Sequence, residues 1–169
     1  MNDKRSVEVL LNRKATTEDA HSMIAGYKRQ ARMVSRMYIL HVGLKDVLRG
    51  DQPDQVVEII RRKWSRRKAA LAICSVPEVT SKGEIVQASV MLLNAKLKVL
   101  CKQIHAKFVD LSRDVAANDG LQKDGLLYGH KVISLVSHHI AEMVSLFLDR
   151  RRENREGKSR KLARRREAG

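Results

Sequence analysis

The sequence predicts an all-α protein: a bundle of about four long helices with a disordered basic C-terminal tail. Three observations predict it. Two prolines and nine glycines are few for 169 residues, so little punctuation interrupts regular structure. Leu, Val, Ile, Ala, Lys and Arg are abundant while aromatic residues make up 4%, a balance that favours helices over a sandwich or barrel. Apolar residues also recur at three- and four-residue steps through most of the chain. The length suits one ordinary domain with tails. We divide it into an N-terminal arm (1–15), a helical bundle (16–149) and a basic tail (150–169).

The arm holds one apolar patch, Val7 to Leu11, which fits a brief helix or an edge strand. Thr16 can cap the first helix, with Glu18 and Asp19 in the turn where the helix dipole favours acids. Ile24, Tyr27, Ala31, Val34, Tyr38, His41, Leu44 and Leu48 then carry that helix over 17–49, and Gly50 stops it. Pro53 suits the first turn of a second helix over 53–75. Val57, Ile60, Trp64, Leu71 and Cys74 mark its apolar side, and Trp64 reads as a core anchor. Pro77 disfavours helix at the residue before it.

After a loop at 76–81, Ser81 and Glu84 fit a capping box. The third helix, 82–117, has a seam of Val86, Val90, Leu93, Leu97, Leu100, Ile104, Phe108, Leu111 and Val115 at alternating steps of four and three. Two glycines break the chain at 118–125. The fourth helix, 126–153, repeats the seam with Leu126, Gly129, Ile133, Val136, Ile140, Met143 and Phe147. These seams predict a homo-oligomer. From Arg150 onward ten basic and three acidic residues stand without apolar periodicity, the composition of a disordered segment.

The formal net charge of +15 implies a polyanionic partner, because so much like charge opposes a compact state unless counter-charge offsets it. On the first helix Lys28, Arg29, Arg32 and Arg36 form a basic stripe. In RRKWSRRK, residues 61–68, Arg61, Arg62, Lys63, Arg66, Arg67 and Lys68 surround Trp64 with no acid between them. The tail adds Arg150, Arg151, Arg152, Arg164, Arg165 and Arg166. Side chains so placed neutralise phosphates and release condensed counter-ions. The resulting expectation is a non-catalytic nucleic-acid-binding protein, RNA favoured over DNA, such as a viral RNA-sequestering silencing suppressor or a nucleocapsid-type protein. The alternative is a helical protein-interaction adaptor whose basic surface docks on acidic protein or an anionic membrane.

No HExxH, GxSxG or glycine-rich phosphate loop occurs, so no catalytic residue is expected. Cys101 and His105 share a helix face at i, i+4 but lack paired ligands; neither a metal nor another cofactor is expected. Two cysteines match no disulfide framework, and no apolar run reaches the length of a membrane span. An intracellular protein, cytoplasmic or nuclear, is the expectation.

Overall fold

MYIL, residues 37–40, is an unbroken apolar run that an i, i+4 count absorbs into a helix. In the computed structural model of the chain it opens a parallel sheet instead. The structure describes residues 15–31, 36–78, 80–111 and 130–167. They fall in two compact units, 1–129 and 130–169, which we take in turn.

The first expected helix is three elements: α1 (Thr17–Ala31), strand β1 (Met37–Leu40) and the short α2 (Leu44–Arg49). Thr16 caps α1. Its hydroxyl accepts the Asp19 N–H at 3.3 Å, while the Asp19 carboxylate accepts the Thr16 N–H at 2.9 Å. The turn from β1 to α2 depends on Gly43, whose φ is 110°. A Cβ there would lie 2.9 Å from Val76 Cγ2 and 3.1 Å from Leu93 Cδ2, so a side chain is excluded by both conformation and space.

The second expected helix also divides, into α3 (Pro53–Trp64) and strand β2 (Ala70–Cys74). The third becomes a single 3₁₀ turn (Thr80–Lys82), α4 (Glu84–Gln103) and strand β3 (Lys107–Val109). Gly83, not Ser81, is the N-cap of α4. At the other end His105 takes φ 51°, and the Ala106 N–H reaches back to Cys101 O at 2.8 Å. That contact is the six-to-one closure of a Schellman motif.

The strands lie in the order β1-β2-β3, all parallel. Tyr38 pairs with Leu71, and Ile73 with Phe108. Parallel neighbours require crossover connections, which α2 with α3 and then α4 provide. This corrects the all-α expectation, and the physical reason is burial. A strand covered on both faces reads as a short continuous apolar run, which periodicity cannot separate from a helix core.

The core joins strands and helices. Val56 and Ile60 of α3, Ile73 of β2 and Val90, Leu93, Leu97 and Leu100 of α4 are fully buried. The α4 seam read as an oligomer contact is therefore spent inside this unit. Trp64, 4% exposed, packs edge-on to His21 and Tyr38 at centroid distances of 5.6 and 5.3 Å. It is a core anchor.

The second unit contains one helix, α5 (His130–Glu167). It runs through the segment expected to be disordered, because Arg, Lys, Glu, Leu and Ala all favour helix. Its stretch Val132–Arg150, with mean hydropathy 1.3, is long and apolar enough to cross a membrane by length and composition. The expectation that no stretch reaches that length is corrected accordingly. The seam positions Leu126 and Gly129, and the arm patch at 7–11, lie outside the described residues.

Candidate active site

Parallel strands with helical crossovers leave one edge on which ligands gather: the crevice outside the strands' carboxyl ends. Here the chain leaves β1 through His41, Val42 and Gly43, leaves β2 through Ser75, Val76 and Pro77, and leaves β3 through Asp110 and Leu111. Backbone pairing with side-chain support fixes these exits. Ser75 N–H donates to Val109 O at 2.8 Å. The Ser75 hydroxyl accepts the Leu111 N–H at 2.8 Å. Asn94, on α4, clamps Val76 from both sides, accepting its N–H at 2.7 Å and donating to its carbonyl at 2.8 Å.

Asp46, on the first turn of α2, is 1% exposed. Its carboxylate accepts the Thr17 N–H at 3.0 and 3.1 Å and the Thr17 hydroxyl at 2.9 Å, so the start of α1 is tied to the first turn of α2. Desolvation raises the Asp46 pKa, and the bonds from Thr17 oppose that rise. His41 is held neutral: burial pushes its pKa down to about 4. Burial also raises the Cys74 and Cys101 thiols, to about 12 and about 11. Both therefore keep their protons, which disfavours them as nucleophiles.

The basic residues expected to grip phosphates are arranged differently. Lys28 and Arg29 are exposed in the last turn of α1, and Lys28 Nζ stands 5.5 Å from the Tyr38 ring centroid. Arg36 is exposed ahead of β1, and Arg32 lies outside the described residues. Arg61 binds Glu58 at 2.7 Å and Gln103 at 3.1 Å. Glu18 of α1 takes both Lys63, at 2.8 Å, and Arg62, at 3.2 Å. Arg67 is half-buried and donates to Trp64 O, Ile104 O and His105 O at 2.9–3.1 Å, capping the ends of α3 and α4. Arg66 and Lys68 are exposed, as is Arg150. Arg151, Arg152, Arg164, Arg165 and Arg166 lie along α5, their side chains outside the described set. The acids missing inside 61–68 come from elsewhere: Glu58 one turn earlier and Glu18 from α1.

No protein-family model matches the sequence, and no curated protein does. Solved structures do match. A lipolytic protein of the G-D-S-L family from Veillonella parvula superposes with a TM-score of 0.65 at 16% identity, covering 76% of this chain and 74% of that one. The chain folds like the SGNH hydrolases. The psychrotrophic esterase EstA from Pseudoalteromonas sp., in a structure inhibited by monoethylphosphonate, gives 0.61 at 16% identity over 80% and 74% of the two chains. An SGNH-hydrolase family esterase gives 0.53 at 20% over 80% and 72%. The SGNH-type fold corrects the expected bundle and removes the ground for a non-catalytic RNA-binding protein, for the adaptor alternative, and for nucleic acid as the partner. The string Gly-Asp-Ser-Leu does not occur in the 169 residues.

Sequence reasoning missed His41, Asp46, Ser75 and Asn94. The signal that could have found the first two is Gly43 shortly after the apolar run Met37–Leu40, the pattern of a buried strand turning into a helix.

Proposed function

We propose that the chain is a hydrolase of carboxylic esters acting at the carboxyl edge of its parallel sheet. One observation carries this reading: the β-α-β-α-β body superposes on lipolytic and esterase structures over three quarters of both chains. Ester hydrolysis needs an activated oxygen nucleophile, a proton acceptor and donors for the developing oxyanion. The exits of β2 and β3 are held by side-chain bonds from Asn94 and Ser75, while Asp46 ties α2, which follows the exit of β1, to the start of α1; a rigid edge of this kind keeps such groups in register. Ser75 supports that edge, since its oxygen already accepts a backbone N–H and its side chain is buried.

Turnover of p-nitrophenyl acetate by the purified full chain tests the proposal. Saturable hydrolysis well above the uncatalysed rate is the expected result. Hydrolysis that stays at background for acetate, butyrate and longer acyl esters would overturn it.

A further inference from the structure

The exits of all three strands meet at one short segment, Ser75 and Val76. Val76 is fully buried, and its Cγ2 lies where a Cβ on Gly43 would come within 2.9 Å, so the turn out of β1 rests against it. Ser75 donates its N–H to Val109 O and accepts the Leu111 N–H on its hydroxyl, both at 2.8 Å, which binds the exit of β3 to the same segment. The strand itself ends at Cys74, and Pro77 has no N–H with which to hold the chain. Both backbone groups of Val76 go instead to one side chain: the Asn94 amide accepts its N–H at 2.7 Å and donates to its carbonyl at 2.8 Å. An ionised aspartate of the same shape accepts but cannot donate, and leucine does neither.

Asn94 follows the fully buried Leu93 on α4, so the helix that packs on the sheet also reaches its carboxyl edge. On the ester-hydrolase reading, on which this inference rests, the reacting groups stand at that edge, where a misplacement of about 1 Å costs on the order of 100-fold in rate. We infer that Asn94 is a positioning residue: acting through Val76, its amide sets the common register of the three strand exits and with it the rate of the chemical step. A residue that merely satisfied two buried backbone groups would contribute to stability and leave the rate of a folded variant unchanged.

Steady-state kinetics and amide hydrogen exchange on the full chain test this, with Asn94→Leu and Asn94→Asp. Asn94→Leu should lower kcat for p-nitrophenyl acetate by about tenfold or more while KM stays within about twofold. Exchange should quicken at 75–78, 41–44 and 109–111 together. Asn94→Asp keeps the shape and the acceptor, and so gives a reading even if Asn94→Leu fails to fold. Its carboxylate lacks the donor at neutral pH and regains one when protonated, so its kcat relative to wild type should rise as pH falls. Wild-type kcat in either variant at neutral pH would overturn the inference, as would a loss confined to KM or to thermal stability, or a kcat ratio for Asn94→Asp that is flat in pH. A wild-type chain that turns over no ester would sink the hydrolase reading instead, and exchange would then decide the shared register: quickening at all three exits upholds it, and quickening confined to 75–78 overturns it.

Discussion

Asp46 joins two distant segments of the first unit. Its carboxylate is buried, and its three contacts with Thr17 cross 29 positions of sequence. Truncation to alanine would strand a buried N–H and a hydroxyl, at a cost of about 1–3 kcal/mol. Urea unfolding of Asp46→Ala should show that loss, and Asp46→Asn, which keeps an acceptor, should lose less. His41 provides a second test. Its folded pKa, about 4, lies below the ordinary histidine value, so the folded state favours the neutral ring. The stability it contributes is present above pH 6.5 and drains away as pH falls toward 4, by up to about 3 kcal/mol. Stability measured across that range should drop in the wild type and drop less in His41→Gln.

At the scale of elements, adjacent residues of α4 separate its buried face from its exposed one. Leu93 is fully buried and Leu92 half-exposed. Leu93→Ala should cost about 2–5 kcal/mol, and Leu92→Ala should leave the melting temperature of the isolated fold nearly unchanged. Gly43→Ala should destabilise by more than about 1 kcal/mol, since the position combines a positive φ with a 2.9 Å approach to Val76. The helix starts at Thr16 and Pro53 were legible because capping residues and proline act locally. The strands were not. MYIL, ALAIC and KFV have three to five residues each, and their apolar side chains coincide by chance with the three- and four-residue steps of the helices beside them. Only long-range pairing, such as Tyr38 with Leu71, distinguishes them, and no local window contains both partners. The edge residues were hidden for the same reason: His41, Ser75 and Asp110 become neighbours of one edge only once three strands lie side by side.

For the whole molecule, the formal net charge of +15 and the run of six bases at 61–68 suggested a polyanion partner. In the fold, Arg61, Arg62 and Lys63 meet acidic side chains, and Arg67 caps two helix ends. The uninterrupted run at 61–68 overstated the unpaired charge there, since acids outside the segment meet three of its six bases. The central claim, that this fold hydrolyses esters, is tested most directly by trapping. Incubation with an ethyl p-nitrophenyl phosphonate, followed by intact-mass and peptide mass spectrometry, should give one covalent adduct per chain, on a segment that follows a strand, with ester turnover lost in proportion. A chain that stays unmodified and shows no turnover, or one labelled at scattered surface residues without loss of turnover, would contradict it.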